Sequence, residues 1–297
     1  MLKNQTQQGY LYAVLAFLMW GMAPIYFKQI QSISALEILV HRIIWSVLFL
    51  VLILVVAKQW HHIRHIVKKP KLLGLLCVSS ILLGFNWGLF IWAVNNDHML
   101  DASLGYYINP LLNVLLGVAF LSERLRKWQC TAVVIASLGV LLQVIAYGSF
   151  PVIAFALAGS FAIYGLLRKK MPVESLPGLL IEALILMPLA LSYWYLTPAT
   201  TSTDMFNNET ALNLLLVSAG VVTTLPLLCF IGAAKRLPYS TLGLFQYLGP
   251  SIMFTLAVTL YDEVFSIERA ITFACIWGAL ALYSWDSFRA ARKKSKN

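Results

Sequence analysis

The chain has 297 residues, of which 60% are hydrophobic and only 11% are charged, and its formal net charge is +10. Soluble domains carry about 25% charged residues, so this composition excludes a soluble globular domain and indicates a polytopic membrane protein. The positive charge does not indicate nucleic-acid binding, because the basic residues lie in short segments between apolar runs. No metal or other cofactor is expected, because the cysteines are scattered singly at Cys77, Cys130, Cys229 and Cys275.

Ten segments are apolar over the length of about 20 residues that a helix needs to cross a bilayer. The division between the fifth and the sixth rests on Gly148 and Pro151, which favour a turn and a new helix start. The predicted fold class is therefore an all-α polytopic membrane protein with ten transmembrane helices. The spans are 9–30, 35–57, 72–94, 102–121, 128–146, 150–167, 176–196, 211–234, 240–260 and 269–287.

The lysines and arginines alternate in density from one inter-span segment to the next. Nineteen of the 22 fall on the side that carries the N-terminus, including Arg168 to Lys170, whereas Lys28 and Arg269 fall on the opposite side and Arg42 lies within a span. Because basic residues collect in cytoplasmic loops, both termini are predicted to be cytoplasmic.

An internal repeat is indicated by matches at an offset of 140 residues. Phe90-Ile91 recurs as Phe230-Ile231, and the run from Pro110 to Glu123 has the same length as the run from Pro250 to Glu263. With ten spans, this offset gives two five-helix repeats, 1–147 and 148–297, which must cross the membrane in opposite senses. Inverted repeats of this kind are an architecture of secondary transporters.

Several runs of the sequence also resemble the RarD-type permeases of the EamA group in the drug/metabolite transporter superfamily. They are WGMAPIYFK (20–28), HRIIWS (41–46), FIWAVNNDHMLDASLGYYINP (90–110), VVTTLPLLCF (221–230) and STLGLFQYLGPSIMF (240–254). The resemblance covers nearly the whole chain. It implies ten helices in two inverted repeats, a place in the bacterial inner membrane, and the export of amino acids or other metabolites, with chloramphenicol-like compounds among the candidates.

Four prolines interrupt apolar spans and are predicted to be helix breaks or hinges. Within a helix, proline removes one hydrogen bond and frees the carbonyl four residues earlier, which must find another partner in hydrocarbon. Breaks in both halves indicate either simple kinks that help helices pack or a binding site at the shared interface. The four residues are Pro24, Pro110, Pro226 and Pro250.

Ionisable residues within spans are costly, so each one indicates a functional hypothesis. Glu37 and His41 share a helix face and are followed by Arg42, while Glu182 lies at a matching depth in the seventh span. One interpretation is that His41 and Arg42 bind an anionic group and that Glu37, His41 and Glu182 carry protons. The alternative is a local Glu–Arg cluster whose side chains extend to the lipid headgroups.

Aromatic and amide side chains beside these breaks predict a cavity for a flat amphipathic solute. The alternative is the interfacial belt in which Trp and Tyr collect. Together with His41 and Arg42, the predicted cavity residues are Trp20, Tyr26, Asn86, Trp87, Trp92, Asn95, Tyr106, Asn109, Tyr164, Phe245 and Gln246.

The function predicted from these features is a secondary transporter that works by alternating access, and the resemblance implies that it is an exporter. Its partners would be a small-molecule substrate, the lipid bilayer and protons as the coupling ion. The sequence contains no nucleotide-binding GxxxxGK[ST] loop, which argues against direct coupling to ATP. Enzyme activity is not expected, because GxSxG and HExxH motifs are also missing from the sequence. The alternatives are a membrane scaffold or sensor without transport, and an intramembrane enzyme.

Overall fold

The protein is a bundle of long helices, described from a computed structural model. The structure describes residues 2–96, 98–197, 200, 202–260 and 267–294, with only the backbone at 2–3, 94–95, 269, 288 and 291–294, and these ranges contain no strand. The helices are α1 Leu2–Gln29, α2 Ala35–Val56, α3 Trp60–Val67, α4 Pro70–Asn95, α5 Met99–Leu121, α6 Lys127–Tyr147, α7 Val152–Lys170, α8 Ser175–Leu196, α9 Thr210–Arg236, α10 Tyr239–Gln246, α11 Leu248–Leu260 and α12 Ile267–Lys294.

The all-helical membrane fold is confirmed, and nine spans within the described ranges are long and apolar enough to cross a bilayer. The helix pair α10 and α11 counts as one of these spans. The tenth predicted span corresponds to α12, which has 28 residues but a more polar composition. The count of ten therefore stays a prediction. Helix α3 was not predicted, and with 8 residues it is too short to cross a membrane.

Local signals in the sequence set several helix ends. The hydroxyl of Ser34 accepts a hydrogen bond from the Glu37 N–H at 3.3 Å and caps the start of α2. Pro70 is the first residue of α4, a position at which its missing N–H costs nothing. Gly148 ends α6 with a left-handed φ of +80°, which separates the fifth and sixth predicted spans as expected.

The four predicted hinge prolines behave differently from one another. Pro24, Pro110 and Pro226 lie inside the continuous helices α1, α5 and α9. Pro250 lies just after a true break, because α10 ends at Gln246 and α11 begins at Leu248. Since proline cannot bond the carbonyl four residues earlier, here that of Gln246, the break falls where the lost hydrogen bond predicts it.

Helices that the 140-residue offset makes equivalent pack against each other. These pairs are α2 with α8, α5 with α10, and α6 with α12. The remaining contacts also follow the repeat. Helix α1 packs on α9 and α11, and its equivalent α7 packs on α4 and α5, which are the helices equivalent to α9 and to the pair α10 and α11. Two halves related by a two-fold axis produce this pattern of partners. It supports the division into 1–147 and 148–297, which stays a proposal.

The backbones of α2 and α9 approach each other closely at Gly220. A Cβ atom at this position would lie 2.4 Å from the carbonyl carbon of Trp45 and 2.7 Å from the backbone nitrogen of Ser46. The Ser46 hydroxyl also donates a hydrogen bond to the Gly220 carbonyl at 3.3 Å. Small residues at helix crossings are a common means of tight packing in membranes. Gly220 therefore fixes the spacing between one helix of each proposed half.

We expect Gly220→Ala to destabilise the protein by about 1–3 kcal/mol, because the added methyl group meets backbone atoms that cannot rotate away. Thermal unfolding of the purified protein in detergent measures this loss. Gly278→Ala is the matched control, since nothing lies within 4 Å of a Cβ atom at that position in α12. Equal unfolding temperatures for the two variants would contradict close packing at Gly220.

Candidate functional site

A cavity lies between α2, α4, α8 and α9, near the middle of the bundle. Two of these helices come from each proposed half, and the 140-residue offset pairs α2 with α8 and α4 with α9. The walls are mostly apolar, with hydroxyl groups supplied by Ser46, Thr223 and Thr224. The lining residues are Ile43, Ser46, Leu50, Leu83, Trp87, Leu179, Ala183, Leu186, Thr223, Thr224 and Leu227.

Arg42 lies at the edge of this cavity and is half-buried. Its Nε donates a hydrogen bond to the Thr223 hydroxyl at 2.8 Å. The guanidinium carbon lies 4.9 Å from the ring centroid of Trp87 and 5.9 Å from that of Phe27, as expected for cation–π contacts. Among the residues that the structure describes, Arg42 forms no ion pair with a carboxylate. Arg42 thus brings positive charge to the cavity, and no carboxylate of the described residues serves as its counter-ion.

His41 is buried and faces away from the cavity lining. Because an indole N–H can only donate, the 3.0 Å contact from Trp45 Nε1 makes His41 Nδ1 an acceptor. The proton is then on Nε2, which donates to the carbonyl of Ser202 at 3.0 Å. Both ring nitrogens are engaged by the protein, so the structure leaves neither free to bind a solute or to accept a proton.

Glu37 lies in the first turn of α2 and is 8% exposed. A carboxylate is favourable at this position because the N-terminal end of a helix carries partial positive charge. The predicted local pair between Glu37 and Arg42 is not among the ion pairs of the described residues. The Glu37 carboxylate therefore stabilises the start of α2, and the contacts of Arg42 come from other residues.

Glu182 is fully buried in α8 and belongs to a cluster of polar groups from three helices. The Nε atom of Arg168 lies 3.7 Å from Oε1, and both side chains are 0% exposed. The Tyr164 hydroxyl donates to Oε2 at 3.2 Å, and the Ser79 hydroxyl donates to Oε1. The Ser80 hydroxyl donates to the Glu182 carbonyl at 2.9 Å. This cluster ties α4, α7 and α8 together below the cavity.

Arg168 was expected in a cytoplasmic segment, and that assignment is wrong for its side chain. Arg168 extends back into the bundle from the last turn of α7 and donates to the carbonyls of Glu174 and Ser175 at 3.4 and 3.2 Å. The signal that could have found it is Glu182 itself, because a carboxylate inside a span needs a nearby cation.

Glu123 connects the end of α5 to the start of α10. Its carboxylate accepts hydrogen bonds from the N–H groups of Tyr239 at 2.5 Å and Ser240 at 2.8 Å, and from the Ser240 hydroxyl at 2.7 Å. These N–H groups have no partner within α10, so the carboxylate caps the helix and matches its dipole. Ser122 turns the chain into this position with a φ of 55°. The corresponding Glu263 lies outside the described residues.

Two lysines tie the turn between α7 and α8 to the turn between α9 and α10. Lys169 Nζ donates to the carbonyls of Ala234 at 2.7 Å and Leu237 at 2.5 Å. Lys235 Nζ donates in return to the carbonyls of Met171 at 3.3 Å and Val173. Together with Glu123 and the Glu182 cluster, these contacts close the end of the bundle that we call the basic end, which contains residues 121–127, 168–175 and 234–240.

The amide side chains predicted to line the cavity are engaged between helices instead. Asn86 donates to the Leu157 carbonyl at 2.8 Å and to Ser160 at 2.9 Å, which joins α4 to α7. Asn109 donates to the Ala158 carbonyl at 2.5 Å. Asn113, which was not predicted, donates to Gln246 at 2.7 Å. None of these amides belongs to the cavity lining of the described residues.

The predicted aromatic residues separate into three groups. Trp87 lines the cavity, and the hydroxyl groups of Tyr26 and Tyr106 lie within electrostatic range of Arg42. Trp20 and Tyr164 pack into the core around Phe161.

The remaining predicted residues lie away from the cavity. Trp92 is 47% exposed and stacks on His98, with ring centroids 5.3 Å apart. Phe245 packs against Tyr10 at the bundle surface. The side chain of Asn95 lies outside the described part of the structure. Long apolar helices carry no periodic signal for their buried face, so the sequence could not separate these positions from Trp87.

Comparison with known proteins gives a consistent result along the whole chain. Residues 7–145 match the EamA-like transporter family. The chain is 54% identical to the protein RarD of Salmonella typhi, with 98% of this chain and 99% of that protein covered. It is 51% identical to the protein RarD of Escherichia coli K12, with 99% of each covered. It is 32% identical to a chloramphenicol-sensitive protein RarD of Pseudomonas aeruginosa, with 97% of each covered.

A solved crystal structure, described only as that of a protein, shares the fold. The TM-score is 0.75, and the match covers 94% of this chain and 98% of that one at 17% sequence identity. At this identity the likeness extends to the fold alone.

We expect Arg168→Met to destabilise the protein by about 3–5 kcal/mol, because it leaves the Glu182 carboxylate buried without its cation. The double variant Arg168→Met/Glu182→Leu should recover most of the loss. Arg126→Met is the comparison variant. Its partner Asp286 is only 9% exposed, but the Arg126 side chain is 47% exposed, so water screens this pair and its loss should cost less than that of the fully buried pair. Thermal unfolding in detergent measures all three, and equal losses for Arg168→Met and Arg126→Met would contradict the role of the buried pair.

Proposed function

The chain belongs to the RarD-type permeases of the EamA-like transporter family, and on this premise we propose that it is a secondary carrier that exports a small amphipathic metabolite or drug by alternating access. Aromatic amino acids and chloramphenicol-like compounds are the candidate solutes. The family supports a membrane transporter, and the direction and mechanism are our proposal. The protein acts in the bacterial inner membrane, with both termini on the cytoplasmic side, where the basic residues collect.

The observation that carries this proposal is the place of the cavity. It lies between helices of both proposed halves, and inverted repeats bind their solutes at such an interface. At the basic end, Glu123, Lys169, Lys235 and the Glu182 cluster join the helices below the cavity. Tyr106, on the Arg42 side, is 41% exposed. The contacts at the basic end support a conformation that is closed towards the cytoplasm.

We further propose that protons are the coupling ion and that Glu182 carries them. Glu182 is a fully buried carboxylate close to the closed contacts, and its neighbours Ser79 and Tyr164 come from other helices. Opening of the basic end would remove these donors and expose the carboxylate to water. A change in protonation would then accompany the change in conformation.

Reconstitution tests the carrier proposal even when the solute has not been identified. We expect liposomes that contain the protein and a small-molecule extract of its cells to release particular solutes faster than protein-free liposomes, as measured by mass spectrometry. Labelled forms of those solutes should then show counterflow. Ala183→Val should slow this release because its two added methyl groups fill the narrow cavity, whereas Leu189→Val on the same helix should not, since Leu189 is 70% exposed. A scaffold or sensor predicts no accelerated release at all.

The coupling proposal predicts that flux of such a solute changes several-fold when a pH gradient is imposed. Glu182→Gln should lose this response, because the amide cannot exchange a proton. Glu174→Gln is the control, since Glu174 is a 53% exposed residue at the start of the same helix, 3.4 Å from His62. Flux that ignores the gradient, together with full activity of Glu182→Gln, would refute proton coupling through this residue.

A further inference from the structure

Arg42 is a cation in the interior of the bundle whose charge no acidic group of the described residues balances. Its guanidinium uses Nε for Thr223, and the described residues provide no hydrogen-bond partner for its two terminal nitrogens. Arg168, the other interior arginine, is paired with Glu182. An unpaired charge in a low-dielectric site is costly, so such a group is usually retained for a partner that arrives from outside.

The surroundings of Arg42 define what that partner must be. The rings of Trp87 and Phe27 lie 4.9 and 5.9 Å from the guanidinium carbon, and neither ring accepts a conventional hydrogen bond from the terminal nitrogens. The fork of nitrogens on an arginine matches the two oxygens of a carboxylate. The cavity beyond Trp87 has apolar walls but is narrow in this conformation, with free space of about 10 Å³, roughly that of one water molecule. A hydrocarbon or aromatic body would therefore enter only as the helices separate, and it would then pack against these walls.

A second polar group in the cavity also lacks a partner. Thr224 lines the cavity next to Thr223 and is 1% exposed, yet its hydroxyl forms no hydrogen bond to any described residue. Buried hydroxyl groups are nearly always bonded, so an orphaned one in a cavity wall indicates a ligand or a water molecule. Its position beside the residue that holds Arg42 places both groups within one site.

The cavity offers nothing to a ligand that is positively charged. No carboxylate belongs to its described lining, Glu182 is held by Arg168, and Glu37 lies more than a turn from Arg42 at the helix end. A ligand ammonium group would therefore lose its hydration without gaining a counter-charge. The site distinguishes between ligands by charge as well as by shape.

We propose that Arg42, Thr223, Thr224 and Trp87 form a binding site for an organic carboxylate anion that bears an apolar or aromatic body and no ammonium group. The carboxylate lies against the terminal nitrogens of Arg42, and the body packs on Trp87 and the apolar wall. This inference rests on the proposed carrier function. It replaces the candidate solutes named there with monoanions, since aromatic amino acids carry an ammonium group and chloramphenicol-like compounds are neutral.

Four ligands with one shared body test the proposal on the unmodified protein. They are 3-phenylpropionate, its neutral amide 3-phenylpropionamide, the cation 3-phenylpropylamine and the zwitterion phenylalanine. Calorimetric titration of the protein in phosphatidylcholine nanodiscs avoids competition from anionic lipids. We expect the propionate to bind at least about tenfold more tightly than each of the other three, since a charge-assisted pair replaces a neutral contact. Equal affinities, tighter binding of any other ligand, or no measurable binding of the four would overturn the proposal.

Variants test whether Arg42 causes the preference for the propionate. Arg42→Gln should bring the affinity for the propionate down to that for the amide, while Arg289→Gln, an exposed arginine that stacks on Trp285 at 5.3 Å, should change neither. If Arg42→Gln does not fold, Thr223→Val decides instead, because loss of the hydroxyl misplaces the guanidinium and should weaken propionate binding several-fold without affecting the amide. An unchanged preference for the propionate in the folded variant would refute the assignment.

The binding test and the transport test fail independently. Release of neutral or zwitterionic solutes from liposomes, with no preference for the propionate in binding, would leave the carrier function standing and remove the anion site. Selective binding of the propionate without accelerated release of any solute would leave the anion site standing and remove the carrier function.

Discussion

A charge inside a bilayer needs a partner, and the structure depends on how it meets this requirement at two positions. Glu182 and Arg42 are 140 residues apart, the spacing that relates the proposed halves. At Glu182 the protein supplies its own partners, since Arg168, Ser79 and Tyr164 surround the carboxylate. At Arg42 it supplies a hydroxyl and an aromatic face but, among the described residues, no counter-ion. One position holds helices together, and the equivalent position is where we propose that a solute binds.

The polar contacts at the basic end can be exchanged for hydrogen bonds to water. Glu123 binds helix N–H groups, and Lys169 and Lys235 bind carbonyls at helix ends, so each side chain satisfies backbone groups that water could satisfy equally well. Breaking them would also expose apolar side chains, because Met171, Val173 and Leu237 are buried at this end. Separating α2 from α9, whose backbones meet at Gly220, would in addition break direct helix packing that water cannot replace. This difference supports our proposal of motion at the basic end around a fixed crossing.

Much of the fold could be predicted because apolar length alone identifies helices in a membrane. The turn at Gly148 was also predictable, since glycine and proline have well-defined effects on the backbone. The residues of the functional site were harder to predict. Glu182 and Trp87 were expected at a functional position, but Arg168 was assigned to a loop because its long side chain reverses direction into the bundle. Asn109 and Gln246 were expected to contact solute, yet they join helices, because an evenly apolar helix does not reveal which face meets a neighbour.

The cap that Glu123 provides for α10 has a consequence for biosynthesis. The carboxylate and its acceptor site at Tyr239 and Ser240 are separated by more than a hundred residues, so the ribosome completes α5 long before it makes α10. Until then the newly inserted segment carries an unpartnered carboxylate near the lipid surface. The N-terminal helices can therefore reach their final arrangement only after the C-terminal ones have emerged, and a truncated chain would be a natural target for quality-control proteases in the membrane.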